Sequence, residues 1–480
     1  MALRTVISSK LPMVIILGAT GTGKTKLSLE LAQRYGTEII SADSMQIYKG
    51  LDIVTAKASK TERELVPHHL LDILEPNQNF TVVDFRNRAL KIIENLTQNG
   101  KIPIIVGGTN YYIESIVYKI LVEDMDDTNA LLWDCSRRKR DFADQDPEGS
   151  KKMKTETDDE EIKNKHDATN DEDKKDVQIE VSKTKIQEAV DNEAKLTSEE
   201  VHDILKSIDP VMASRLHPNN RRKVLRSIEV WLKSGRRHSE VLDEQKLSEG
   251  EMRRPGATIL FWLKCEQTIH DERLNARIDS MIEEGLIEEL LSFHDRHNKQ
   301  RIQDGKPPDY TKGVFQTLGF KEFHEYLILP EEKKNSDEGK KLLEQSIENM
   351  KIGTRRYARR QNKMIRGRFL QIPTREVPPI FELDTTDISK WDEEVLNKAI
   401  CVIDSFMSNS SCKYEPLKPK INEERLTLNG HSSNHCDVCN RLIIGDKEYA
   451  IHLASNKHRK VLKKKGELAE KVREQQSLLD

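Results

Sequence analysis

The sequence is short of cysteine, of aromatic residues and of long apolar runs. Its 480 residues hold six cysteines, of which only Cys436 and Cys439 lie close together. That pattern is not a disulfide framework and fits a reducing compartment. No apolar run is long enough to span a bilayer as a helix. The first ten residues carry Arg4 and Lys10 and no acid, but they lack the apolar core of a signal peptide. An ordinary disordered terminus is expected there, with a mitochondrial targeting signal as the alternative. Aromatic residues make up 5% of the chain and charged residues 33%, with a mean hydropathy of −0.68. This composition suits a soluble protein with some disordered segments. The net charge of −3 hides blocks of opposite sign and so does not exclude a nucleic-acid partner. The length suggests roughly two to four units with ample chain for a core.

What is present begins with Met13 to Tyr48. A buried-strand pattern, Met13-Val14-Ile15-Ile16-Leu17, runs into Gly18-Ala19-Thr20-Gly21-Thr22-Gly23-Lys24-Thr25, and a helix follows with Leu27 and Leu31 on one face. The octet fits G-x-x-x-x-G-K-[ST] in its required strand–loop–helix context. Glycines let several N–H groups converge on one point, and the helix N-terminus adds its positive end. Lys24 would pair with phosphate oxygens and Thr25 would help to hold a magnesium ion. A second strand, Glu38 to Asp43, delivers Asp43 at its carboxyl end, the edge where ligands bind in parallel α/β sheets. A third, Ile102 to Val106, ends in Gly107-Gly108-Thr109-Asn110-Tyr111-Tyr112. A nucleotide hydrolase would end such a strand in an aspartate that holds magnesium; its absence disfavours NTP hydrolysis.

Taken in order, the P-loop, Asp43-Ser44-Met45-Gln46-Ile47-Tyr48, Thr55-Ala56-Lys57, Pro67-His68-His69 and Gly107 to Tyr112 resemble the tRNA dimethylallyltransferases, also called tRNA isopentenyltransferases. The resemblance covers most of residues 12 to 370, apart from an acidic tract. It implies that Gly18, Ala19, Thr20, Gly21, Thr22, Gly23, Lys24 and Thr25 hold the diphosphate of dimethylallyl diphosphate with Mg2+, and not a nucleotide. The exocyclic amine of the adenine just 3′ of the anticodon would attack the allylic carbon. The resemblance makes Asp43 the base and places the Thr109 hydroxyl near the bridging oxygen. Ser44, Met45 and Gln46 would lie at the tRNA, with Gln46 at the target adenine. His68 and His69 are read as turn residues without a catalytic role.

From Arg137 to Glu193 a Lys/Asp/Glu/Thr-rich tract offers too little apolar surface to fold, and it reads as a solvated spacer. Helical pattern resumes near Leu196, with Ser198 to Leu205 as a capped start. Arg222 and Arg226 fall at i,i+4 on a basic helix after His217-Pro218-Asn219-Asn220. By resemblance Arg222, Lys223 and Arg226 meet substrate RNA, and Arg226 also the diphosphate. Phe261 to Leu263 reads as a strand returning to the sheet, and Leu274 to Leu286 as a mainly structural helix. Gln316 and a basic helix, Thr354 to Arg366, are placed at the tRNA by resemblance, through Arg359, Arg360, Gln361, Lys363 and Arg366; such charges suit a phosphate backbone. An amphipathic helix after Trp391 finishes the core.

Cys436-x2-Cys439-x12-His452-x5-His458 has zinc-finger spacing, with two thiolates on a knuckle and two imidazoles on a helix. Four protein ligands make it a closed, structural Zn2+ site. It resembles the matrin-type fingers that eukaryotic members of the family carry and bacterial members lack, so a eukaryotic source is expected. The fold class is thus α/β: a P-loop-type parallel sheet core with a helical insertion and a small C-terminal zinc finger. The expected segments are 12–136, first part of the core; 137–195, acidic insertion; 196–255, tRNA-gripping helices; 256–407, second part of the core; 408–434, linker; 435–465, finger; and 466–480, charged tail. The partners implied are tRNA and dimethylallyl diphosphate, with no membrane. A monomer is expected, in the cytoplasm with mitochondrial and nuclear pools. Two other readings stand beside this one, a P-loop small-molecule kinase or ATPase and a non-catalytic RNA-binding zinc-finger protein.

Overall fold

The computed structural model describes residues 11–76, 78, 80–119, 186–187, 190, 195–247, 251–299, 310, 313–371, 375–418 and 433–477. Nearly all of the acidic tract and most of the linker lie outside the described residues. The chain divides into two compact units. One is Met1–Lys139 with Glu249–Ile421, and the other is Arg140–Ser248 with Asn422–Asp480.

In the first unit, Met13–Gly18 (β1) is buried at all six positions, as an uninterrupted apolar run in a parallel sheet should be. Lys24–Tyr35 (α1) follows, then Ile39–Ser41 (β2) and His68–His69 (β3). Val82–Gln98 (α2) is set by a reciprocal capping box of Thr81 and Asp84, which satisfies two otherwise orphaned N–H groups. Ile104–Val106 (β4) and Asn110–Val117 (α3) complete the first segment. After the insertion come Thr258–Lys264 (β5), Gln267–Glu283 (α4), Leu286–His297 (α5), Phe320–Leu327 (α6), Asp337–Ile365 (α7), Ile380–Asp384 (β6) and Asn397–Ser408 (α8).

The six strands pair in the order β3-β2-β4-β1-β5-β6, and every pairing is parallel. β5 is longer than the three residues that its sequence suggested, because all of Thr258 to Leu263 register against Met13 to Gly18. His68 and His69 form the edge strand and not a turn. Strand alternation divides the core into two layers. Met13, Ile15 and Leu17 face a cluster containing Phe85, Tyr112, Phe293 and Ile365. Val14 and Ile16 face Leu27, Leu31, Trp391 and Ile403. Parallel pairing has a direct consequence for chemistry. The turns after β1, β4 and β2 leave adjacent strands at the same edge, so the P-loop, Gly107-Gly108-Thr109 and Asp43 meet there.

In the second unit, Ser198–Ile208 begins at the residue read from sequence and is capped by a Thr197–Glu200 capping box. Its Val201 and Leu205 pack with Val224 and Ile228 of the helix Arg221–Ser234. The C-terminal part holds an antiparallel pair, Ser433–Cys436 with Arg441–Ile444, and helices Asp446–Ala454 and Asn456–Ser477. No helix among the described residues is long and apolar enough to cross a membrane.

Candidate active site

The P-loop is a strained curl held from outside. Gly21 and Gly23 have φ of 77° and 86°, a region that costs a side-chain-bearing residue about 1 kcal/mol or more. Ala19 O accepts both Thr22 Oγ1 and Lys24 Nζ, each at 2.8 Å. Among the described residues the N–H groups of Gly21, Thr22 and Gly23 carry no hydrogen bond. Convergent free N–H groups at a helix start form an anion cradle.

Two helices distant in sequence grip the loop. On α4, residues one turn apart reach it in succession. The His270 ring approaches Thr20 O through Nε2 at 2.8 Å, and Leu274 fills the space where a Gly21 Cβ would stand, at 2.8 Å. Arg277 Nη1 then donates to Thr20 Oγ1 at 2.8 Å. On α7, Gln361 accepts the Thr20 N–H at 2.9 Å and donates to Gly108 O at 3.2 Å, so one amide ties the P-loop to the end of β4. Sequence reading placed Arg277 in a structural helix and Gln361 on an RNA-facing one. No local pattern marks either as part of the loop's setting.

These groups determine the charge at the site. Burial lowers Lys24 from 10.5 to about 8; the Arg277 cation adds to that drop and Asp43 opposes it. Burial also lowers Arg277, again opposed by Asp43. His270 is lowered chiefly by burial, so the ring that faces Thr20 O is neutral near pH 7 and donates. Two cations and one carboxylate thus share a partly desolvated space, which favours an incoming anion.

Asp43 Oδ1 accepts the Met45 N–H at 2.9 Å. Among the described residues no group donates to Oδ2, the oxygen that lies 3.9 Å from the Cβ direction of Gly108. That leaves one carboxylate oxygen free to take a proton. Close approach also explains Gly107, since a Cβ there would stand 2.2 Å from Ala42 O. Thr109 Oγ1 accepts the Ser44 N–H at 3.0 Å and donates to Ser44 Oγ at 3.2 Å. Asp43, Ser44 and Thr109 are thereby joined at the sheet edge. Gln46 is fixed by the following loop: its Nε2 donates to Thr55 O and Ala56 O, both at 3.1 Å, and its Oε1 faces Ser41 Oγ at 3.3 Å. Lys57 anchors that loop through Tyr48 O, Gly50 O, Asp52 and Asp72.

The remaining site residues from the sequence lie further out. Arg359 pairs with Asp271, as Lys351 does with Asp279 at 2.6 Å, so part of the basic face of α7 is matched to acids on α4. Arg360, Lys363 and Arg366 are exposed, as is Gln316 in a short helical turn, Gly313–Gln316. Arg222, Lys223 and Arg226 belong to the second unit, on Arg221–Ser234; Lys223 and Arg226 are exposed.

The ligand atoms of Cys436, Cys439, His452 and His458 all lie within 4.8 Å of one another. His458 Nδ1 is 3.5 Å from each sulfur and 3.2 Å from His452 Nε2. A tetrahedral zinc with bonds of about 2.0–2.3 Å separates its ligands by roughly 3.3–3.8 Å, so these residues fit the metal. The two imidazoles sit on consecutive helices and not on one. Six steps of about 100° would place them on different faces of a continuous helix. Ser455 breaks it, in an extended conformation, and its Oγ accepts the His458 N–H at 3.1 Å.

The family model described as IPP transferase matches residues 46–368. The tRNA dimethylallyltransferase of Mus musculus is 40% identical over 473 residues, covering 95% of this chain and 87% of that protein. The Homo sapiens tRNA dimethylallyltransferase is 40% identical over 467 residues, with the same shares of 95% and 87%. Among solved structures, a eukaryotic dimethylallyltransferase described as acting on tRNA has a TM-score of 0.66 and 28% identity, covering 96% of this chain and 99% of its own. Agreement over nearly the whole length, in sequence and in fold, means that this chain belongs to the tRNA dimethylallyltransferase family.

Proposed function

We propose that this protein transfers a dimethylallyl group from dimethylallyl diphosphate to the N6 amine of the adenine immediately 3′ of the anticodon in tRNA. The observation that carries this reading is the joining, at one sheet edge, of a cationic P-loop to a carboxylate with a free oxygen. An adenine amine is a weak nucleophile because its lone pair is delocalised into the ring. As nitrogen attacks the allylic carbon a C–N bond forms and the C–O bond breaks. The electron pair leaves on diphosphate, and the amine proton passes to Asp43 Oδ2. Lys24, Arg277 and the free P-loop N–H groups stabilise the charge that grows on the leaving diphosphate. The Thr109 hydroxyl, held beside Asp43 through Ser44, would meet the bridging oxygen. Thr25 would hold Mg2+ together with diphosphate oxygens, and the ion would add positive charge there.

Positioning of RNA falls to the exposed Arg360, Lys363, Arg366 and Gln316 and, from the second unit, to Arg222, Lys223 and Arg226. Arg226 is also the proposed contact for diphosphate. Gln46, held by Thr55 and Ala56, offers its remaining oxygen lone pair to the base, and Arg359 reaches RNA by exchanging Asp271 for a phosphate. Zn2+ in the Cys2His2 site would order the C-terminal finger for RNA contact. The test is transfer of radiolabel from dimethylallyl diphosphate to unmodified tRNA with adenine at that position, run beside an ATP hydrolysis assay. Label in that adenine supports the reading; ATP turnover without label replaces it with a kinase or ATPase.

A further inference from the structure

We infer that Trp391 is a positioning residue for the diphosphate site, acting through Gly23. The indole lies outside the span matched by the family model, 46–368, in the short segment between β6 and α8. It is 5% exposed, and its ring closes over the last glycine of the P-loop. A Cβ on Gly23 would stand 2.7 and 2.8 Å from two of its ring carbons. Two polar contacts orient the ring, both from α1. Nε1 donates to Glu30 Oε2 at 2.8 Å, and Lys26 Nζ lies 4.6 Å from the ring centroid. Trp391 therefore bridges the N-cap glycine of α1 and the helix's second turn.

Gly23 most needs such a contact. It is the N-cap of α1, in the left-handed region, and no side chain caps the helix there. Glycine visits left- and right-handed conformations with similar ease, so its sequence alone does not hold the curl. The N–H groups that face the anion point inward only while Gly23 keeps this conformation. The indole removes the room that Gly23 would need to turn over. Without it the loop would be ordered at the moment of binding, and the lost chain entropy would appear as weaker affinity for diphosphate. The chemical step would proceed normally once the site is filled. This inference rests on the reading of the P-loop as a diphosphate site.

The experiment compares the wild-type chain with Trp391→Leu, Trp391→Phe and Ile403→Ala. Ile403 is a fully buried member of the same core layer as Trp391, so its truncation destabilises the unit. Calorimetric titration with inorganic diphosphate is run beside steady-state prenyl transfer to tRNA and thermal unfolding. Freeing one glycine should weaken diphosphate binding about tenfold in Trp391→Leu. KM for dimethylallyl diphosphate should rise by a similar factor, with kcat within twofold. Trp391→Phe should fall between this variant and wild type, and Ile403→Ala should bind as wild type although it unfolds at lower temperature. Unchanged binding in Trp391→Leu, or an equal loss in Ile403→Ala, would overturn the inference. Wild-type protein that binds no diphosphate would overturn the P-loop reading itself.

Discussion

Lys24 should make diphosphate binding a proton-uptake reaction. Burial and the neighbouring Arg277 lower its pKa from 10.5 to about 8. The difference corresponds to roughly 3 kcal/mol, before any discount for solvent at the mouth of the site. Between pH 8 and 10.5 the unfolded chain holds the proton and the folded, empty site does not, so stability rises with pH across that window. Bound diphosphate reverses the balance, because its negative charge restores the ammonium. At pH 8.5 about three-quarters of empty sites hold neutral Lys24, against about a tenth at pH 7, and that fraction is the proton taken up on binding. Affinity should therefore weaken by up to about tenfold per pH unit above 8. The assay is calorimetric titration with dimethylallyl diphosphate, without tRNA, at pH 7, 8, 8.5 and 9.5 in two buffers of different ionisation enthalpy. Lys24→Arg keeps a permanent charge and records any proton that belongs to the ligand. Equal uptake in the wild type and Lys24→Arg would refute the argument, as would a flat affinity between pH 8 and 9.5. Lys24→Met removes the confined charge and should raise Tm at pH 7 while abolishing binding, since the same burial that costs stability creates the anion site.

Asp43→Asn keeps the shape of the side chain but cannot take a proton, so kcat for prenyl transfer should fall by about a hundredfold or more, with diphosphate affinity changed by less than threefold or so; a variant retaining a tenth of wild-type kcat would remove Asp43 as the base. Arg277→Gln should raise KM for dimethylallyl diphosphate about tenfold or more and also move the Lys24 titration up towards 10.5, because Arg277 is one of the two causes of its depression. An alkaline limb that stays at 8 in this variant would refute the coupling. Zinc content should be one ion per chain and should be lost in Cys439→Ser. That variant should also lose tRNA affinity at unchanged diphosphate affinity; a full zinc complement in it would displace Cys439 from the ligand set.

What was legible in the sequence was whatever a short stretch determines by itself. The six-residue run of β1 and the octet after it specify strand, curl and helix within 23 residues, Met13 to Tyr35, and the spacing of four ligands specifies the finger. Asp43 and Thr109 were legible for a less local reason. Each follows a short apolar strand, and parallel pairing brings all such strand ends to one edge. Arg277 and Gln361 illustrate the opposite case. Each sits on a helix in which charged and apolar residues alternate by turns, so amphipathic periodicity assigns them to solvent or to RNA. Only the approach of α4 and α7 to the loop reveals that His270, Leu274 and Arg277 form one contact stripe. The basic run in α7 shows the same limit. Counting its charges suggests a uniform RNA-facing surface, whereas Lys351 and Arg359 are matched to Asp279 and Asp271.

This division has a physical meaning for ligand choice. A P-loop alone offers N–H groups and a lysine, which serve a nucleotide and an isoprenoid diphosphate equally well. What distinguishes them is the charge and chemistry of the surrounding groups, and these come from elsewhere in the chain. The end of β4 supplies glycines that let Ala42 and Gln361 approach, where a hydrolase would place a magnesium-holding aspartate. Asp43, with one oxygen that accepts no hydrogen bond among the described residues, is the carboxylate whose charge opposes the lowering of both Lys24 and Arg277. Arg277, reaching the loop at Thr20, supplies a second cation beside Lys24. The local motif accounts for the anion cradle, and residues distant in sequence set its shape and charge.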